Sequence, residues 1–222
     1  DLGRFEAAFT PRTKAVLINS PANPTGVVIP PEVLQGVADV CRRRGVVLIS
    51  DEIYHAFCYD GPFHSPAEFD ENVLVVDGFG KTYGMTGWRM GFAHGPKWLI
   101  DQMSVLQQFT FVCAPSIAQE ATLAALEFDV SPIIADYRQK RDRICEGLSG
   151  RYEFVRPAGA FYVFVRSPRP SATEFVEEAI RNNLLIIPGS TFSQHDSHFR
   201  ISFAASDATI ERGIEVLRRL AR

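Results

Sequence analysis

No apolar run in the chain approaches the ~18 residues of a membrane-spanning helix, so no membrane partner is expected. No secretory signal pattern opens it either. A basic excess is also missing: Lys plus Arg is 23 against 26 Asp plus Glu, a formal charge of −3. Proteins held mainly by phosphate backbones need the opposite balance, so no nucleic-acid partner is expected. Cysteine is scarce. Cys41, Cys58, Cys113 and Cys145 are scattered without a Cys-x-x-Cys pair, which argues against a disulfide framework and for the reduced thiols of a cytoplasmic protein. The one close histidine pair, His195 and His198, encloses polar Asp196 and Ser197 and reads as a solvated loop rather than a metal site. There is no internal repeat and no low-complexity tract. An initiating Met is absent as well. Asp1 opens the chain and the first convincing strand begins only at Ala15, so the sequence reads as the remainder of something longer.

What is present is ordinary for a globular protein. Hydrophobic residues make up 46% and charged residues 22%, which excludes disorder and fibrous repeats. In the first half strands alternate with helices. Ala15 to Asn19, Val46 to Ile49, Val73 to Val76 and Gly91 to His94 read as strands. Their continuous apolar runs suit a parallel sheet covered on both faces. Between the first two, Pro31 can open a helix, Val33, Leu34, Val37, Ala38 and Cys41 repeat at helical spacing, and Gly45 stops it. The second half changes character. Ser131-Pro132 opens a long helix to about Leu148, and Ser171 with Glu174 forms a capping-box pattern for a helix ending near Asn183. Glu153–Arg156, Phe161–Val165, Leu184–Ile187 and Phe199–Phe203 read as short strands. Ile210, Ile214 and Leu217 form the apolar stripe of a last helix. The fold class expected is α/β: part of a mostly parallel-sheet domain over residues 1–114, then a smaller α+β C-terminal domain over residues 115–222.

Ligands of parallel α/β sheets bind beyond the carboxyl ends of the strands. After the first strand comes Asn19-Ser20-Pro21-Ala22-Asn23-Pro24-Thr25-Gly26. After the second comes Ser50-Asp51-Glu52-Ile53-Tyr54, and after the third Asp77-Gly78-Phe79-Gly80-Lys81-Thr82. Trp88-Arg89 precedes the fourth. Singly, each of these is as well explained by a turn, a cap or a solvated charge. Together, Lys, Asp, Tyr and Arg are what pyridoxal phosphate requires. The lysine bonds the cofactor covalently, the acid keeps the pyridine nitrogen protonated, the phenol and amide bond the ring hydroxyl, and the arginine pairs the phosphate.

Asn-Pro-Thr-Gly at 23–26, Asp-Glu-Ile-Tyr at 51–54 and Gly-Lys-Thr-Tyr-Gly-Met-Thr-Gly-Trp-Arg-Met-Gly at 80–91 closely resemble the class I/II, aspartate-aminotransferase-like (fold type I) family. Pro-Ala-Gly-Ala-Phe-Tyr at 157–162 and Phe-Arg-Ile-Ser-Phe at 199–203 fit its small domain. The resemblance covers nearly the whole chain in order. It implies pyridoxal 5'-phosphate as cofactor, amino acid and 2-oxo acid substrates, and a homodimer. It also implies a role for each matching residue. Asn23 and Tyr54 would bond the ring oxygen and Asp51 the pyridinium nitrogen. Lys81 would carry the cofactor and move protons, with Asp51 and Tyr54 completing the catalytic set. Gly78 and Arg89 would serve the phosphate. Arg200, with Asn23, would take the substrate carboxylate. The resemblance raises the prospect of a cis Asn23–Pro24 bond.

Periodicity alone makes Arg200 a solvated strand charge, and only the motif reverses that reading. Arg138, Lys140, Arg141 and Arg143 read as a solvated helix face. Glu52 is expected to face away from the site. Two departures from the family pattern stand out. Gly78 occupies the position, three before the lysine, where a phosphate-binding serine is common. The long N-terminal part of family members, with its ring-stacking aromatic and phosphate turn, has no counterpart here. The leading expectation is an aminotransferase. The alternatives are another pyridoxal-phosphate reaction on the same fold, such as β-elimination, and an aminotransferase-like ligand-sensing module.

Overall fold

The computed structural model of the protein describes residues 1–221. The chain divides into two compact units. The first comprises Asp1–Pro21, Ile29–Ala56 and Gly61–Val130. Its elements are α1 (Leu2–Ala7), β1 (Ala15–Asn19), α2 (Pro31–Arg44), β2 (Val47–Asp51), β3 (Val73–Gly78), α3 (Phe79–Thr82), β4 (Gly91–His94), α4 (Lys97–Gln108) and α5 (Ser116–Leu126). The sheet runs β1-β2-β3-β4. The first three strands are parallel, with Asn19 opposite Asp51 and Asp51 opposite Val76, so the polar strand ends share one edge. α2 behaves as its pattern requires. Pro31 sits in its first turn, Gly45 ends it at φ 62, and Val37, Ala38 and Cys41 pack on Leu48, Val73 and Val75.

The sheet is mostly parallel, as expected, and β4 is its one antiparallel strand among the described residues, pairing with β3. The connection carries only the four-residue α3 and a short 3₁₀ turn at Thr86–Trp88, with no full crossover helix to return the chain for a parallel pairing.

The second unit comprises Ala22–Val28, Phe57–Asp60 and the chain from Ser131 onward. Its elements are α6 (Ser131–Leu148), β5 (Tyr162–Arg166), α7 (Ala172–Arg181), β6 (Ile187–Pro188), β7 (His198–Ser202) and α8 (Asp207–Leu220). They form an antiparallel sheet, β5-β7-β6, with helices. Tyr152, Phe175 and Phe199 form one ring cluster in its core, and Phe57, Tyr137 and Phe161 another. Glu153–Arg156 is not a strand. It contributes one bridge, Phe154 to Val165, and a bond from Arg166 N–H to the Glu153 carbonyl. β6 is two residues long, shorter than the Leu184–Ile187 expected. The Ser171 hydroxyl caps α7 by accepting the Glu174 N–H at 3.1 Å. The complete capping box lies elsewhere, at Ser65 and Glu68.

The division falls at Val130–Ser131 rather than at residue 114, because α5 groups with the first unit. Two early segments join the second unit, since they pack on it. Tyr59 donates its hydroxyl proton to the Ala160 carbonyl at 2.5 Å, and Gly159 N–H donates to the Gly26 carbonyl at 2.9 Å.

Candidate active site

Five of the sequence-selected residues belong to the first unit. Asp51 closes β2, and Tyr54 follows it, buried at 4% exposure. Gly78 closes β3, Lys81 lies in α3, and Arg89 ends the turn before β4. Gly78, Lys81 and Arg89 line one cleft of about 360 Å³, together with Asp77, Gly80 and Thr86. Asp51 and Tyr54 are outside the lining of this cleft. A larger groove of about 570 Å³ lies in the second unit against α8, and it contains none of the selected residues.

Local structure explains this placement. Gly78 is extended, so its freedom of φ is not the issue; space is. A Cβ there would lie 2.9 Å from the Met90 carbonyl oxygen and 3.1 Å from the Gly91 Cα, where β4 crosses β3. A serine at this position would force the two strands apart, which accounts for the glycine. The position therefore offers its backbone and no hydroxyl. Arg89 is a non-glycine residue at φ 56, a conformation that costs about 1 kcal/mol. It is held there by its Nη1–H, which donates to the Thr86 carbonyl at 3.0 Å.

Asp51 Oδ1 accepts the Ile53 N–H at 3.2 Å. Burial pushes its carboxyl above the ordinary range, the Ile53 bond opposes this, and the nearby charge of Asp77 adds to the rise. Glu52 is outside the lining of the cleft. It is buried, and its Oε1 accepts the Ser65 hydroxyl at 2.6 Å. Burial likewise raises its carboxyl. Sequence reasoning missed His55 and Asp77. The His55 Nδ1 lies 2.7 Å from Asp77 Oδ2. In sequence Asp77 reads as one more polar residue at a strand end, and nothing in its spacing from His55 announces the pair.

Asn23 and Arg200 belong to the second unit, where they meet. Arg200 Nη1 donates to Asn23 Oδ1 at 2.8 Å. Arg200 lies on β7, opposite Phe164 and Ile187. Its guanidinium lies 4.4 Å from the Tyr162 ring centroid and 4.7 Å from that of Phe192. A freely solvated strand charge would have neither ring nor amide, so periodicity alone misjudges this side chain. The Arg200 Nε is buried without a hydrogen-bond partner in the protein. The turn bearing Asn23 has both Ser20–Pro21 and Asn23–Pro24 in cis, and Gly26 at φ 68. A Cβ on Gly26 would fall 2.3 Å from the Pro157 Cβ, so the 23–26 and 157–159 turns pack as closely as glycine allows.

These two units define a class of protein. The first is an α/β sheet whose carboxyl edge carries a lysine turn and a cleft with two cations. The second is an α+β unit presenting a half-buried guanidinium held by an amide and two rings. The aminotransferase class I and II family profile matches residues 1–217, and the chain belongs to this family. It is 40% identical over 225 residues to a probable aspartate/prephenate aminotransferase of Thermus aquaticus, covering 97% of this chain and 58% of that protein. It is 32% identical over 231 residues to a probable aspartate aminotransferase of Methanocaldococcus jannaschii, covering 99% of this chain and 62% of the other. Among solved structures, an aspartate aminotransferase double mutant of Thermus thermophilus superposes with a TM-score of 0.93 at 37% identity, covering 99% of this chain and 60% of that one. The chain thus spans less than two thirds of the length of these relatives. Family members use pyridoxal 5'-phosphate.

The residues present fit that group. The cleft pairs Lys81, an amine for an aldehyde, with Arg89, a cation for a phosphate. Among the described residues no ion pair forms on half-buried Asp51, so a protonated ring nitrogen would supply the positive charge its burial lacks. No helix among the described residues is long and apolar enough to cross a membrane.

Proposed function

We propose that the protein moves an amino group between an amino acid and a 2-oxo acid, with pyridoxal 5'-phosphate bonded to Lys81. One observation carries the reading: Lys81 and Arg89 line a single cleft at the carboxyl end of β3, one strand from Asp51. The cofactor supplies an electron sink for the carbanion left by Cα–H cleavage. The protein's own residues do the rest. Lys81 Nζ removes the substrate Cα proton and returns it at the next position, as general base and then acid. Asp51 holds the proton on the ring nitrogen. Arg89 and the Gly78 backbone hold the phosphate. Tyr54 and Asn23 bond the ring oxygen. Arg200 forks onto the substrate α-carboxylate, which fixes the direction of the Cα–H bond.

Relatives named for aspartate, prephenate and aromatic amino acids support an amino acid as donor. A homodimer in the cytoplasm completes the reading, supported by scattered free thiols and by exposed apolar side chains on α4 and α5. The test is borohydride reduction of the full-length protein loaded with pyridoxal phosphate, followed by peptide mapping. The pyridoxyl group is expected on Lys81. A label on Lys14, Lys97 or Lys140 instead would overturn the assignment.

A further inference from the structure

Asp77 sets an electrostatic problem at the cleft. It stands in β3 immediately before Gly78, lines the same cleft as Lys81 and Arg89, and its side chain is only 9% exposed. The Gly78 N–H donates to its Oδ1 at 2.6 Å, which ties the carboxylate to the start of the lysine turn. A carboxylate in the wall of an anion-binding cleft repels the anion, and it does so more strongly the less water screens it. Arg89 alone must then offset both the wall charge and the ligand's, because Lys81 is committed to a covalent bond.

His55 lies against the other oxygen of the same carboxylate, its Nδ1 2.7 Å from Oδ2. From β3 the facing charge is Asp77, and from the segment after β2 it is Glu52, whose backbone carbonyl also accepts the His55 backbone N–H at 2.7 Å. Phe63 covers the ring at 5.9 Å between centroids. Glu52 is itself held by Ser65, with His94 of β4 nearby. We propose that His55 is a positioning residue that acts through Asp77: as imidazolium it neutralises the carboxylate, and so lets the cleft accept the phosphate of the cofactor. The inference rests on the pyridoxal-phosphate reading and adds a residue and a charge state to it.

The charge state is consistent with the surroundings. The adjacent Asp77 carboxylate raises the imidazole above its ordinary value, and burial opposes this. Phosphate affinity should therefore be full below the raised value and fall as the pH climbs through it. Asp77 also raises the Asp51 carboxyl, so neutralising Asp77 favours the ionised Asp51 that the ring nitrogen needs.

The experiment uses the full-length protein and four forms: wild type, His55→Gln, Asp77→Asn, and the double variant. Asparagine keeps an acceptor for the Gly78 N–H and removes the charge. Equilibrium affinity is measured for pyridoxal phosphate and for pyridoxal, which lacks the phosphate. His55→Gln is expected to weaken pyridoxal phosphate about tenfold and to leave pyridoxal unchanged. Adding Asp77→Asn should restore affinity to within about twofold of wild type, because no charge is left to offset. In the cofactor-free protein, the His55 imidazole followed by NMR should titrate at lower pH in Asp77→Asn than in wild type. A His55→Gln variant that binds both ligands normally, loses both equally, or stays weak in the double variant overturns the inference while Lys81 labelling leaves the function standing. Wild-type protein that binds pyridoxal phosphate no better than pyridoxal overturns both.

Discussion

Asp51 is held in the fold at a cost. Its carboxyl is raised by burial, so the folded protein binds that proton more tightly than the unfolded chain does. The group contributes fully to stability below its unfolded value, near ~3.9, and the contribution is lost as the pH rises through the raised folded value. At neutral pH its ionised form therefore burdens the cofactor-free protein. Asp51→Asn keeps an acceptor for the Ile53 N–H and removes the charge. Cofactor-free Asp51→Asn should melt above wild type at pH 7, with the difference vanishing below about pH 4, as thermal unfolding across pH will read. On the proposed function the same variant should lose turnover in the full-length protein, because the cofactor's ring nitrogen would lose its partner. Arg200 behaves differently, since rings and an amide already hold it. Truncating one partner of a desolvated charge pair typically costs about 2–5 kcal/mol. Arg200→Ala should thus lower kcat/KM for amino acids by roughly 30-fold or more, at ~1.4 kcal/mol per factor of ten, with cofactor absorbance titrations unchanged.

At the scale of the element, α6 shows where helical charge reading breaks down. Arg138, Lys140, Arg141 and Arg143 look alike in sequence, yet Arg141 is 0% exposed. Its Nη1 donates to Asp60 Oδ2 at 2.8 Å and to the Pro157 carbonyl at 3.0 Å, and its guanidinium lies 5.0 Å from the Tyr59 ring centroid. Arg138 is exposed and Arg143 pairs with Asp207 at the surface, as the solvated reading expects, whereas the Lys140 side chain is only 15% exposed, paired with Asp136 and lying over the Tyr137 ring. Breaking a buried pair by removing one partner costs about 3–5 kcal/mol, less here because Asp60 and Asp142 remain half exposed. Arg141→Ala should therefore destabilise by about 2–3 kcal/mol in urea titration, while Arg138→Ala stays within about 0.5 kcal/mol. Because Arg141 grips the Pro157 carbonyl, and the 157–159 turn packs on Gly26, the loss reaches the turn that carries Asn23.

For the whole molecule the governing fact is how much apolar surface these residues leave uncovered. Phe109 is 83% exposed, Ile117 73% and Phe111 66%, all on or between α4 and α5. Large apolar side chains grouped in this way mark a surface that another chain segment or subunit covers. A protein made of these 222 residues alone should bind a hydrophobic dye and self-associate. Sedimentation velocity at rising concentration is the check, and a single monomer boundary at every concentration would contradict it.

The sequence by itself determined the alternation of strands and helices, the edge at which polar residues collect, and the motifs that carry the family resemblance. Those are local properties: period, capping, strand-end composition and spacing along the chain. Only the tertiary structure decided the direction of β4, the burial of Arg141, the capture of residues 22–28 and 57–60 by the second unit, and the His55–Asp77 pair. Each of these depends on which distant backbone or side chain arrives alongside. A strand reads the same in sequence whichever way its neighbour runs. An arginine on a helix reads as solvated until a carboxylate from 81 positions away in the chain closes over it.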